Sequence, residues 1–160
     1  MVQKFKKRLL LIHLLLMLLF VANSKDLYAQ GRKVKEASRL YESLRTHKIA
    51  HAKTVLAIVI YETGWMQCKS CALDDYNNLF GFRTNKDFIK FSSITESIKY
   101  LKKWQTKYYK PWKVRHPQGT YYEYLKYIRY CDNMDNYIRT IKSIEGWIAL
   151  NIEKRPKVRN

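Results

Sequence analysis

The sequence predicts one mainly α domain with a short β-hairpin, an α+β unit preceded by a removable leader. Three observations carry this expectation. Apolar residues recur at helical spacing in several separate stretches between Val34 and Ile148. One aromatic and β-branched stretch, Phe82 to Phe91, is interrupted at its middle by Thr84-Asn85-Lys86-Asp87, residues suited to a turn. The roughly 130 residues left after a leader are enough for one small core.

The leader comes first. Lys4, Lys6, Lys7 and Arg8 form a basic head before Leu9 to Ala22, an apolar run of 14 residues broken by His13. That run is short for a bilayer span and right for the core of a secretory signal. Ala22-Asn23-Ser24 supplies small residues for cleavage after Ser24, with Gln30 as a later alternative and an uncleaved anchor as the competing reading. Cys68 is the first cysteine, so a lipid anchor on an N-terminal cysteine is not expected. The expected organisation is a signal peptide over 1–24, a domain over 33–150 and a basic, frayed tail over 151–160. Export, to the periplasm or to the cell exterior and envelope, follows from the leader.

Within the domain, Val34, Ala37, Leu40, Tyr41 and Leu44 mark a first amphipathic helix, and His47 to Ile49 a connection. From Ala50 the chain is apolar on nearly every side, through Val55-Leu56-Ala57-Ile58-Val59-Ile60, as a core helix must be. Gly64 suits the left-handed residue that ends such a helix. Met66 to Tyr76 reads as a loop, followed by the hairpin. Ser93-Ile94-Thr95-Glu96 predicts a capping box opening a helix that carries Ile98, Leu101, Trp104 and Tyr108. Pro111 and His116-Pro117-Gln118-Gly119 predict the next loop. Thr120 to Glu123 is a second capping box, before Tyr124, Leu125 and Ile128. Asp132 or Asp135 is expected to cap a last helix with Tyr137, Ile138, Ile141, Ile144 and Ile148 facing inward.

This placement sorts the carboxylates. Glu36 and Glu42 fall on a polar helix face, Glu96 and Glu123 have capping work, and Glu145 and Glu153 lie among basic residues. Glu62 closes the apolar run in the last turn of the core helix. The negative end of the helix dipole and desolvation by apolar neighbours both favour a protonated acid there, as a general acid requires. A buried acid bonded to a backbone group or a tyrosine hydroxyl is the structural alternative.

Charge and cysteines bound the partners. The formal net charge is +18; removing the leader's four basic residues leaves 27 Lys+Arg against 13 Asp+Glu, or +14. Such a field attracts polyanions, and the many tyrosines could stack on bases. Export instead points to an anionic envelope surface and the carboxylates of cell-wall peptides, so no nucleic-acid partner is expected and the chain should be monomeric. In an oxidising compartment Cys68, Cys71 and Cys131 predict one structural disulfide, either within Cys68-Lys69-Ser70-Cys71 or from one of that pair to Cys131. His47, His51 and His116 are scattered and a second paired cysteine motif is missing, so neither metal nor cofactor is expected.

Glu62-Thr63-Gly64-Trp65 followed by Asn77-Asn78-Leu79-Phe80-Gly81 resembles the glucosaminidase domain of bacterial peptidoglycan hydrolases, whose pattern reads E-[ST]-G-W, a loop, N-N-L-F-G, a hairpin and capped helices. Phe91 to Ile98 is similar to the "F-x-S-x-x-E-S-I" opening of that family's next helix. Tyr130, Asp132 and Tyr137 look like its late "Y-A-x-D-x-x-Y" segment. The resemblance covers roughly residues 34 to 150 and implies a lysozyme-like fold. It implies Glu62 as the acid that protonates the oxygen leaving the β-1,4 linkage between N-acetylglucosamine and N-acetylmuramic acid in peptidoglycan glycan strands. It further implies a cleft shaped by Tyr76, Asn77, Asn78 and Phe80, with Tyr137 approaching from the last helix. Aromatic faces stack on sugar rings and amide side chains suit N-acetyl groups, so residue chemistry agrees in part.

Two departures stand out. Ile58 occupies a position where the family often has Gln, and the hairpin is too short to carry the second carboxylate that glycosidases usually need. Asp87 at the turn is the nearest candidate; Asp74 and Asp75 are others. A substrate-assisted or a lytic, anhydro-forming mechanism would need no second acid. The alternative functions are a catalytically weak glycan-binding or envelope-scaffold protein, and an exported cationic protein acting on anionic surfaces.

Overall fold

The computed structural model describes residues 28–154; the leader expected over 1–24 and the final residues 155–160 lie outside the described part. The chain divides into two units. The first ends at Glu36 and its described residues, 28–36, are helical. The second begins at Ala37 and holds everything discussed below.

Helix α1 spans residues 28–46, and from Ala37 onward it buries Ala37, Leu40 and Leu44, the apolar stripe expected. Helix α2, Ala52–Glu62, is the centre of the core: every residue from Thr54 to Ile60 is buried. It starts two residues later than the apolar pattern suggests, because His51 takes a left-handed conformation (φ 55°) and places its ring on Tyr121, centroids 4.8 Å apart.

Between α2 and the hairpin, the expected loop contains a short helix, α3, over Ala72–Tyr76. Asp74 and Asp75 in its first turn complement the positive end of the helix dipole, a signal masked by the cysteines nearby. The hairpin forms as predicted: β1 (Arg83–Thr84) pairs antiparallel with β2 (Asp87–Phe88), Arg83 opposite Phe88 and Thr84 opposite Asp87. Helix α4, Ile94–Trp104, starts at Ser93, whose Oγ accepts from Glu96 N at 3.3 Å. Only half of the predicted box forms, since the Glu96 carboxylate turns to Lys99 instead.

Pro111 does not break the chain. A wide π-helical turn over Gln105–Tyr109, closed by Lys110 N donating to Gln105 O, leads into α5, Lys110–Arg115. The proline stands at the start of that helix, where its missing N–H costs little. The loop is therefore confined to the residues after Arg115. Helix α6, Tyr121–Tyr127, carries the complete predicted capping box of Thr120 and Glu123. Helix α7, Met134–Ile148, is capped by Asn133, whose Oδ1 accepts from Asn136 N at 3.2 Å; neither aspartate does this. Asp135 pairs with Lys126 instead. Helical winding continues over Ala149–Glu153, past the boundary expected at residue 150, because Glu153 accepts from Lys53 at 2.8 Å and from Tyr41 at 2.7 Å.

Helix α7 lies along α2, burying Tyr137, Ile141 and Ile148. Two hydrogen bonds define the register. Thr54 Oγ1 donates to Glu145 Oε1 at 2.5 Å, and Tyr137 Oη donates to Glu62 Oε1 at 2.8 Å. Moving forward along α2 moves backward along α7 by the same interval, so the helices are antiparallel. The fold is mainly α with a small two-stranded sheet, a lysozyme-like α+β domain.

Candidate active site

The end of α2 is built around Thr63. Its hydroxyl donates to Val59 O at 2.6 Å and accepts from Met66 N at 2.8 Å. Gly64, Trp65 and Met66 then follow one another in left-handed conformations, at φ 53°, 66° and 60°. Glycine adopts this freely, whereas each of the other two costs about 1 kcal/mol. Packing offsets that cost at Trp65, whose ring stands edge-on to Trp147 with centroids 4.5 Å apart. The tight reversal leaves Glu62 at a rim.

That position corrects the expected environment. The buried stretch of α2 stops at Ile60, and Tyr61 and Glu62 are both exposed. Glu62 is therefore not desolvated by the apolar run before it. What holds it is Tyr137: the phenol is 6% exposed and donates to one carboxylate oxygen, leaving Oε2 free of any protein hydrogen bond among the described residues. Burial, the neighbouring Tyr130 and the bond to Glu62 all drive the Tyr137 hydroxyl far above its ordinary value, so it stays protonated and keeps a proton to donate to the carboxylate. Tyr130 lies 5.6 Å from Tyr137, ring to ring, and burial of its phenol end with Glu62 close by pushes it up to about 12.

Glu62 lines a cleft of about 420 Å³. Phe80, Phe88 and Tyr130 supply aromatic walls, and Cys68, Cys71 and Cys131 line it as well. The disulfide joins Cys68 to Cys71, which leaves Cys131 as a free thiol. Burial first, then the charges of Asp132 and Glu62, hold that thiol above its ordinary value, so it is a neutral wall residue. Glu62 is the only carboxylate among the described residues lining this cleft.

The structure divides the remaining predicted site residues. Asn78 lines the cleft but is 1% exposed, and its amide is engaged: Nδ2 donates to Phe82 O at 2.7 Å and Ile89 O at 3.0 Å, while Oδ1 accepts from Phe82 N at 2.9 Å. It clamps the hairpin beside the cleft. Asn77 is the left-handed residue (φ 51°) ending α3, and it donates to Phe91 O at 3.1 Å; it is not a lining residue. Phe80 lines the cleft. Tyr76 stands behind the wall, its ring 6.1 Å from Phe88. Asp87 precedes Phe88 on β2; successive strand residues point to opposite faces, and it is Phe88 that faces the cleft. Asp74 and Asp75 sit in the first turn of α3, outside the lining. Phe88, Tyr130 and Cys131 are cleft residues not singled out from sequence, although Tyr130 belongs to the late motif that also contains Tyr137.

A family model described as mannosyl-glycoprotein endo-beta-N-acetylglucosaminidase, the glucosaminidase model, matches residues 35–146. The chain belongs to the glucosaminidase family. It is thus a glycoside hydrolase domain of the lysozyme-like, peptidoglycan-hydrolase type. Neither the curated proteins nor the solved structures contain a significant match to it. The match takes in the whole site of this glucosaminidase domain, from α2 through the hairpin to Tyr137 on α7.

Proposed function

We propose that this glucosaminidase-family chain is an exported hydrolase that cleaves the β-1,4 bond between N-acetylglucosamine and N-acetylmuramic acid, with Glu62 as general acid. The observation that carries the reading is the Tyr137–Glu62 hydrogen bond at 2.8 Å on the rim of an aromatic-walled cleft. A carboxyl anchored through Oε1 presents Oε2 in a defined direction. In the acid form, Oε2–H donates its proton to the glycosidic oxygen as the C1–O bond breaks and positive charge develops on the sugar ring. The Tyr137 hydrogen bond strengthens as Glu62 becomes anionic, because hydrogen bonds to charged acceptors are the stronger kind.

With Glu62 the lone carboxylate among the described residues lining the cleft, the second group is best supplied by the substrate. Its 2-acetamido oxygen attacks C1 and closes an oxazolinium ring. Water then opens that ring, delivering a proton to the Glu62 carboxylate and restoring the acid. Phe80, Phe88 and Tyr130 offer faces for sugar stacking, and Tyr76, Asn77 and Asn78 support the wall that carries them. The expected product is a reducing N-acetylglucosamine end, identified by mass spectrometry of digested sacculi. Glu62→Gln should abolish its release with the fold intact; full activity in that variant refutes the reading, an anhydro-N-acetylglucosamine end would replace hydrolysis with lytic cleavage, and a muramic end would move the cut to the other linkage.

A further inference from the structure

A second concavity is larger than the Glu62 cleft. A groove of about 690 Å³ runs along α4, the π-helical turn, α5 and α6. Its rim carries four exposed cations, Arg83, Lys103, Lys107 and Arg115, and no acidic residue lines it. None of the four forms a salt bridge among the described residues. Tyr100, Tyr108 and Tyr127 line it with 38%, 47% and 61% of their surface exposed. Tyr124 also lines it, and its buried hydroxyl has no hydrogen-bond partner among the described residues, a deficit that a ligand or water atom would fill.

The groove and the Glu62 cleft share a party wall. Phe80 and Tyr130 line the cleft and also a small cavity of about 80 Å³, whose other walls include Phe82, Trp104 and Ile128. Those three line the basic groove. Across that wall, Phe80 on the cleft side stands 5.9 Å from Phe82 on the groove side, ring centre to ring centre, a separation that one polymer can bridge.

We infer that this groove binds the free carboxylates of the stem peptides borne by the glycan strand that occupies the Glu62 cleft. The inference rests on the proposed glycan-cleaving role. The sugars of such a strand are uncharged; its anionic groups are on the peptides. A sugar chain whose lactyl groups are all amide-linked to peptide offers no charge to four cations that form no salt bridge among the described residues, whereas a peptide carboxylate meets them with complementary charge, and tyrosine faces cover its apolar side chains. The groove thus makes the enzyme select glycan whose peptide carboxylates are free over glycan whose peptide carboxylates are amidated.

The test compares purified sacculi with sacculi whose carboxylates have been converted to amides by carbodiimide and ammonia, because an amidase would uncover a lactyl carboxylate on every muramic residue it strips. K103Q/K107Q/R115Q should lower the sacculus-to-amidated ratio of kcat/KM about tenfold, as three screened surface contacts allow, through a rise in KM on sacculi. The control K35Q/K90Q/K142Q, which removes equal charge from exposed lysines outside the groove, should preserve the ratio. An unchanged ratio in the groove variant, or an equal change in the control, overturns the inference. Co-sedimentation needs no turnover and separates the two proposals: if the parent releases no sugar product, the Glu62 reading fails while groove-dependent binding to sacculi can still hold. Binding that survives amidation of the carboxylates but disappears after acid extraction of phosphodiester wall polymers refutes the stem-peptide assignment.

Discussion

Tyr137→Phe removes one hydroxyl and keeps the ring that packs beside Tyr130. The oxygen lost donates at 2.8 Å to Glu62, so the variant frees the carboxyl to rotate and removes a donor that acts most strongly on the anion. A hydrogen bond to a charged group is worth about 1.5–3 kcal/mol, which corresponds to about 10- to 150-fold in rate. Tyr137 is not among the lining residues, so the loss should fall on kcat and leave KM close to the parent value. Stability should change by about 1 kcal/mol or less, because exposed Glu62 exchanges its lost partner for water. Reducing-sugar release from sacculi and a thermal melt measure the two effects. The reasoning is refuted if Y137F retains kcat within about twofold of the parent. It is equally refuted if activity falls only in proportion to the folded fraction.

Other residues give separate tests. Asn78→Ala removes three hydrogen bonds in a buried position and should cost about 3 kcal/mol in urea denaturation; a cost below about 1 kcal/mol would contradict the clamp. His51 is held below its ordinary value by burial and then by Lys113, with Glu145 opposing. The unfolded chain therefore takes up that proton first, so the stability owed to neutral His51 is complete above about pH 6.5 and declines as pH falls toward the folded value. H51Q should flatten that slope in melts between about pH 5 and 8, and an unaltered slope would assign it to other groups. Opening the Cys68–Cys71 bridge in C68S/C71S releases only a short loop, worth about 2 kcal/mol by loop-closure entropy, yet both sulfurs line the cleft. Activity on sacculi should drop further than folded fraction; an intact kcat/KM would show that the bridge serves stability alone.

Local features were legible in the sequence where local chemistry decides them. The apolar run of α2, the Thr120–Glu123 box and the two-residue hairpin turn all formed where periodicity and capping rules put them. Competition between neighbours was harder to read. Asn133 won the α7 cap because Asp135 is drawn to Lys126, nine positions earlier in the chain, and Glu96 left its half of a capping box for Lys99. Pro111 looked like a helix breaker because a π-helical turn before it leaves no periodic signature. At the site, Glu62 was recognisable as an acid without structural duty, but its exposure was not, since that depends on where the chain turns after Ile60. Asn78 was visible as a motif, and its engagement with both sides of the hairpin appears only once Phe82 and Ile89 are brought together.

The antiparallel pairing of α2 with α7 has one more consequence. The Thr54–Glu145 contact stands eight residues from the Glu62–Tyr137 contact on each helix, about 12 Å along the rods. The pair works as a ruler read from both ends: a slip at the far mark swings the aim of the acid at the near one. Accuracy toward the sugar is thereby entrusted to residues that never meet it.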